Sequence, residues 1–278
     1  MTRLDDYRNF LKKQGKADNT IQTYSRHVME YFQWYRDTFG KEAVQFYRAN
    51  ILDFRSYLQN VKNLKFNSID TKLSSLTSFN EFLVRTGVQK EVVITAEDRL
   101  KFQQPIASPT DIVKQDVDAF LQNVLVMTGK RNYAIAVILA YAGLRVSECI
   151  NIRMTDMDFQ ARELLVIGKG KKQRIVFIND KIIHAVREYL KERNSTSEYL
   201  FISRNGGNLH RSSVNRFFTQ CSDQINPHKL RHYFCSHALE MGYTIAEVAN
   251  QAGHASERTT LIYTNTNRKK MKEKANLL

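Results

Sequence analysis

The chain has 278 residues, 42% of them hydrophobic and 25% charged, and its 42 Lys+Arg outnumber 28 Asp+Glu for a net charge of +14. That apolar content suits one large or two moderate folded domains and excludes an intrinsically disordered chain. The excess of positive charge favours a polyanionic partner, nucleic acid first and an anionic membrane second, and no apolar run approaches the ~20 residues of a membrane-spanning helix.

The opening Met1-Thr2-Arg3-Leu4-Asp5-Asp6-Tyr7 lacks the basic and then apolar regions of a secretory signal. A short helix is expected near residues 4–13. Asp18-Asn19-Thr20 reads as the cap of a long helix to about residue 39, with Ile21, Tyr24, Val28, Tyr31, Phe32 and Tyr35 on one face and Gly40 as its stop. Residues 52–61 form a third helix and residues 67–86 a fourth, whose stripe is Ile69, Leu73, Leu76, Phe79, Phe82 and Leu83 and whose end is Gly87. The aromatic-rich stripes read as the core of a four-helix bundle over residues 1–87. From 88 to 111 the helical period fades, and Pro105 and Pro109 hold their neighbours extended, so this stretch reads as a linker.

Residues 112–278 have a different texture. Helices are expected at 115–126 and 132–141. Strand character follows from 157 to 178, with Glu163-Leu-Leu-Val-Ile167 and Arg174-Ile-Val-Phe-Ile178 joined by a Gly-Lys-Gly-Lys-Lys turn into a hairpin. Helices resume at 181–191, 212–221, 227–241 and 245–251. The architecture is therefore mainly α with a small β-hairpin. The first 111 residues carry 17 basic and 13 acidic groups and the remainder 25 and 15, so the second domain should grip a polyanion more firmly. Cys149, Cys221 and Cys235 are odd in number and scattered without a CxxC pair. They suit reduced thiols in a cytoplasmic compartment and argue against a zinc ribbon.

Phosphodiester chemistry without a metal needs fixed cations around the non-bridging oxygens, a nucleophile and a proton donor for the leaving oxygen. Arginine suits the clamp, because its planar fork meets two oxygens and stays charged. Arg145 stands where Gly143 breaks one helix and Ser147-Glu148 can start the next. Lys169 sits on the Gly168-Lys169-Gly170 tip, which is not a phosphate-binding P-loop since no GKS or GKT is present. His228 and Arg231 are three apart at the start of a helix opened by Pro227, hence on one face near the positive helix end. His228, His232 and Cys235 also have the spacing of a metal-ligand face, but no carboxylate stands near them and Phe234-Cys235 reads as core. His254 follows Gly253, and Tyr263 lies nine residues on. A tyrosine is a nucleophile only where cations or a base activate it, its ordinary pKa being near ~10. Taken singly, each of these also suits a surface cation, a solvated turn or a buried ring.

Taken together and in order, Leu144-Arg145-Val-Ser-Glu148, the Gly-Lys-Gly turn, His228-x-x-Arg231, Gly253-His254 and Tyr263 resemble the tyrosine recombinase/integrase family. The resemblance covers residues 112–278 by motif and the N-terminal helices by architecture. It implies an N-terminal SAM-like, core-binding DNA clamp followed by an α+β catalytic domain. It implies a site-specific recombinase in which Tyr263 forms a 3′-phosphotyrosyl link, Arg145 and Arg231 hold the phosphate, and His254 hydrogen-bonds it. Lys169 would protonate the leaving 5′ oxygen, His228 would assist proton transfer, and Glu148 would orient Arg145 or His228. No cofactor, ATP or metal is expected. The implied partners are a double-stranded DNA recombination site and further copies of the chain, a dimer on each site and a tetramer in the synapse. Residues 264–278 would dock on the neighbouring protomer through Ala275-Asn-Leu-Leu278, and a need for accessory proteins stays open. Because the helical clamp starts at once, a small resolving recombinase is expected rather than a phage integrase with an extra arm-binding domain. A type IB topoisomerase, a non-catalytic DNA-binding protein and a metal-dependent nuclease are the alternatives. Loss of cleavage in chelator would mark the nuclease, and a non-catalytic binder leaves the six aligned residues unexplained.

Overall fold

The structure, a computed structural model, describes residues 2–99, 112–168, 170, 172–203, 205–254 and 260. The chain divides into two compact units, Met1–Gln104 and Pro105–Leu278.

The first unit is helical: α1 (Thr2–Lys13), α2 (Asp18–Phe39), α3 (Arg48–Ser56), which runs on into a π-turn over Tyr57–Val61, and α4 (Phe66–Arg85). Its core is aromatic, as the stripes require. Tyr31 is fully buried, with the rings of Phe46 and Phe54 edge-on at centroid distances of 4.9 and 5.2 Å. Such edge contacts set the negative face of one ring against the positive edge of another. All six stripe residues of α4 are buried. Three expectations need correction. The N-cap of α2 is Ala17, with no side-chain cap, and Asp18 lies inside the first turn, where its carboxylate meets the positive helix end. The third helix begins at Arg48, four residues before the expected start. Residues 88–98 belong to the bundle rather than to a linker: Ile94 is buried, Val88 and Val93 pack on the core, and Asn80 Oδ1 accepts from Val93 N at 2.8 Å. Asp98, buried, accepts from Thr95 N and from Arg48, which anchors the end of this stretch.

The second unit is built around α6 (Lys130–Tyr141), buried continuously from Ala134 to Ala140 and so packed on every side. Around it lie α5 (Lys114–Thr128), α8 (Asp180–Leu190) and α10 (Pro227–Glu240), while α9 (Arg211–Cys221) packs on α5. The short α7 (Val146–Ile150) follows α6 directly. The sheet is antiparallel in the order β1 (Met157–Asp158), β2 (Glu163–Ile167), β3 (Gln173–Phe177), with Leu164 opposite Val176 and Ile167 opposite Gln173. Leu164, Val166 and Val176 face the core, while Ile175 and Phe177 face out, the alternation that a one-sided sheet demands. The hairpin closes with Gly168 N donating to Lys172 O at 2.8 Å. The last helix, α11 (Ile245–Ala252), packs on both α10 and β3. Among the described residues no helix is long and apolar enough to cross a membrane. The three cysteines are buried and form no disulfide.

Gly143 ends the turn after α6 with φ +64°, and a Cβ there would stand 2.2 Å from Phe234 Cδ1. Neither the left-handed backbone nor the ring tolerates a methyl group. Gly143→Ala is expected to destabilise the second unit by about 2–4 kcal/mol, seen as a lowered midpoint in its urea unfolding transition. An unchanged midpoint would contradict this packing.

Candidate active site

The site starts from the break after α6. Ala142 ends that helix, Gly143 turns the chain, and Arg145 takes an extended backbone (φ −74°, ψ 150°) as the N-cap of α7. Glu148, in the first turn of α7, reaches back: its carboxylate accepts from Arg145 N at 2.9 Å and from Arg145 Nη1 at 3.0 Å. A second guanidinium meets the same carboxylate, Arg174 Nη1 at 3.2 Å on Oε1 and Nη2 at 3.0 Å on Oε2. Burial alone would push the Glu148 carboxyl up. Arg174's hydrogen bonds, the Arg145 amide and the charges of both arginines outweigh that and hold it below its ordinary value.

The third cation comes from α10. Asn226 caps this helix by accepting from Lys229 N at 3.0 Å, and Pro227 occupies its first turn. Arg231, one turn on, is buried and donates from Nη1 to Gly143 O at 2.5 Å. Both arginines of the clamp are thus referred to one turn: Arg145 stands in it and Arg231 is bonded to it. On the same helix the Nε2 atoms of His228 and His232 lie 2.8 Å apart, so the two imidazoles share one hydrogen between them. Burial lowers the His228 pKa, assisted by Arg231 and Arg211, and burial with His228 and Arg231 lowers that of His232 to about 4.

His254 is delivered by the end of α11. That helix is capped by Thr244 and Glu247 at its start and by left-handed Gly253 at its end, where His254 N donates to Ala249 O at 2.9 Å. Gly253 O accepts from Arg145 Nη2 at 3.0 Å. Gln251 O and Ala252 O accept from Arg174 at 3.2 and 3.3 Å. The Gln251 side chain pairs with the Phe177 backbone in both directions, at 2.7 and 3.1 Å. His254 Nδ1 lies 2.8 Å from Thr260 Oγ1. Its pKa falls to about 4, through burial first and then the charges of Arg231 and Arg145, so the ring is neutral at pH 7.

Arg145, His228, Arg231 and His254 line one cleft of about 710 Å³, together with Arg211 and Asn215 of α9. Four of the six residues expected to act together therefore meet, drawn from three distant stretches of chain. Lys169 and Tyr263 lie outside the described residues, as does the expected docking segment 264–278. Two permanent cations beside imidazoles of lowered pKa make a cleft that can accept an anion such as a phosphate. Among the described residues no group of three or more His, Cys, Asp or Glu is placed to hold a metal. Cys235 packs instead against Phe234 and Val248. Sequence reasoning missed Arg174, Gln251 and the His232 contact. The one available signal was Arg174 on the inward face of β3, in register with buried Val176, where a charge demands a partner.

Comparison with known proteins accords with this geometry. The phage integrase family model matches residues 111–270, and the N-terminal SAM-like domain of phage integrases matches residues 4–91. A TnP I resolvase of Bacillus thuringiensis is 46% identical over 278 residues, covering 98% of each chain. Tyrosine recombinase XerD of Oceanobacillus iheyensis is 30% identical, over 97% of this chain and 95% of its own. In fold, the chain is similar to the Tn1549 transposon integrase in complex with transposon right end DNA (TM-score 0.73, 18% identity, 99% of this chain and 100% of that one). It is also similar to the XerH recombinase in its post-cleavage complex with difH (TM-score 0.72, 20% identity, 92% and 78%). The chain belongs to the phage integrase family, the tyrosine recombinases, and is an enzyme of site-specific DNA recombination.

Proposed function

We propose that this recombinase breaks DNA with Tyr263 and that Arg145, Lys169, His228, Arg231 and His254 carry the reaction with it. The observation that supports this most strongly is the meeting of Arg145, His228, Arg231 and His254 in one cleft, with both arginines tied to the Gly143 turn. In this reading the Tyr263 hydroxyl attacks the scissile phosphorus and passes its proton to His228. Desolvation and the charges of Arg231 and Arg211 hold the pKa of that imidazole below its ordinary value, and its bond to His232 holds the ring in place. As the tyrosyl bond forms, the bond to the 5′ oxygen breaks, and Lys169 protonates that oxygen. Arg145 and Arg231 neutralise the charge that spreads over the non-bridging oxygens. With Thr260 Oγ donating to Nδ1, the His254 ring carries its proton on Nε2 and can donate it to the phosphate. The product is a 3′-phosphotyrosyl link and a free 5′-hydroxyl. Attack by the 5′-hydroxyl of a partner duplex reverses each bond change and exchanges the strands. The link conserves the phosphodiester bond energy, so ATP has no step to drive, and the guanidinium groups occupy the role a metal would have.

The N-terminal helical unit serves as the core-DNA-binding clamp and the second unit as the catalytic domain, in a dimer on each site and a tetramer in the synapse. Residues 264–278 dock on the neighbouring protomer. The reaction joins or separates two sites as a resolvase does, a role supported by the similarity to the TnP I resolvase over nearly the whole chain.

Two outcomes test the chemistry. Incubated in EDTA with nicked duplexes from its genetic neighbourhood, the protein is expected to leave a covalent protein–DNA adduct after denaturation, and Tyr263→Phe to leave none. An adduct that survives the substitution, or one abolished by chelator alone, would overturn the assignment. Strand-exchanged products, rather than resealed substrate alone, then distinguish recombination from topoisomerase-like nicking. The second outcome concerns pH. His254 and His232 titrate near 4 in the folded protein and near 6.5 in the unfolded chain, so the unfolded chain binds more protons between those values. The stability of the free protein is therefore fully present above pH 6.5 and is lost as pH falls toward 4. Melting temperatures measured from pH 7 to 5 are expected to decline, less steeply in His254→Gln. A flat profile would show that these rings are not held neutral.

A further inference from the structure

The geometry points to Arg174 as a positioning residue for the whole cleft, one that never touches the DNA and sets the Arg145 fork, the His254 turn and the base of the Lys169 tip through a single guanidinium. The proposal rests on the assignment of Arg145, Lys169 and His254 made above.

Arg174 does not line the cleft. Its side chain is 13% exposed, against 46% for Arg145, so it faces inward where Arg145 reaches the open side. It binds Glu148 fork to fork, one nitrogen on each oxygen, and that carboxylate is itself 4% exposed. Bidentate pairing fixes a plane as well as a distance. With both oxygens also anchored by Arg174, Glu148 meets the Arg145 guanidinium through Nη1 alone, its other oxygen taking the Arg145 amide, which leaves Nη2 on Gly253 O. Without Arg174, this buried carboxylate would keep only the Arg145 amide and one Arg145 nitrogen, and the remaining charge would draw the Arg145 guanidinium inward or admit water, so that the fork would leave the phosphate.

The same guanidinium caps α11. A helix ends with carbonyls that lack partners and with the negative pole of its dipole. Arg174 takes the carbonyls of Gln251 and Ala252, and Arg145 takes that of Gly253. His254 follows at once, so these two arginines hold the carbonyls immediately before it while its own amide is held by Ala249 O. The fit is close: a Cβ at Gly253 would stand 2.5 Å from Arg174 Cζ, and φ there is +68°. Glycine at this position is therefore needed by the guanidinium lying against it as well as by the turn.

The third link is the hairpin. Arg174 belongs to β3, two residues after Lys172, whose carbonyl closes the turn onto Gly168 N. A Cβ on Gly168 would lie 3.5 Å from Glu148 Oε1 and 3.7 Å from Arg174 Nη1, so the base of the tip that carries Lys169 rests on this ion pair. One buried pair thereby joins three segments that bear the proposed catalytic residues.

The test uses the full-length protein and compares Arg174→Lys and Arg174→Met with wild type. The readouts are the dissociation constant for an uncleaved site and the single-turnover rate constant of Tyr263 adduct formation at saturating DNA. The rate constant, unlike the amplitude, does not depend on the fraction of folded protein. Lysine keeps the charge but offers no planar fork, so Arg174→Lys should fold even if Arg174→Met, which strands the Glu148 charge, does not. The expected result is a rate constant lowered about 10–100-fold with the dissociation constant within about threefold of wild type, the cost of a misplaced rather than a missing reactive group. A loss under about fivefold in Arg174→Lys, or a loss seen only in amplitude or melting temperature, would overturn the proposal. Absence of any adduct with wild-type protein would instead strike the Tyr263 assignment on which it rests.

Discussion

The catalytic unit is organised around one buried carboxylate. Glu148 sits in the first turn of a five-residue helix, nearly sealed from water, where a lone negative charge would be costly. It is tolerated because two guanidinium groups and a backbone amide surround it, and that need fixes where each can be. From this follow the orientation of Arg145, the seat of Arg174 and, through their carbonyl partners, the end of α11 and His254. Arg231 is referred to the same place by its bond to Gly143 O. The two arginines that line the cleft are in this way held by Glu148 and by backbone carbonyls.

This arrangement accounts for the glycines at the two junctions. Gly143 and Gly253 both lie in the left-handed region, and at each a methyl group would strike a side chain of the site's support, Phe234 in one case and Arg174 in the other. The imidazoles follow the opposite rule. Desolvation and the fixed cations beside them hold their pKa values below the ordinary one, so they add hydrogen-bonding groups to the cleft without adding permanent charge. Permanent charge and titratable groups are carried by different residues of the cleft, so a change of pH around neutrality leaves both the guanidinium charges and the neutral His254 ring as they are.

Much of this was legible in the sequence. Helices with a strict apolar stripe, such as α4, and helices with a clear stop, such as α2 at Gly40, were expected nearly to the residue, because burial periodicity and left-handed glycine are local signals. The motif residues of the cleft were legible for the same reason: each sits at a helix junction marked by glycine or proline. The failures are those of tertiary origin. The stretch 88–98 reads as linker because its few apolar residues show no period, yet Ile94 fills a gap in the bundle and Asp98 finds Arg48 fifty residues away. Arg174 reads as one more cation beside a basic turn. Only the fold shows that its partner is Glu148, in a different element, and that the side chain of Gln251 completes the edge of β3.

The most direct test of this account is the titration of Glu148 itself, followed by the carboxyl carbon signal of the labelled side chain and assigned by its loss in Glu148→Gln. If Arg174 and Arg145 together outweigh its burial, the midpoint lies below the ordinary 4.5, and it rises in Arg174→Met. A midpoint at or above 4.5 in the wild-type protein would mean that burial wins, that the carboxylate is not the anchor of the two arginines, and that the site is held together by something else.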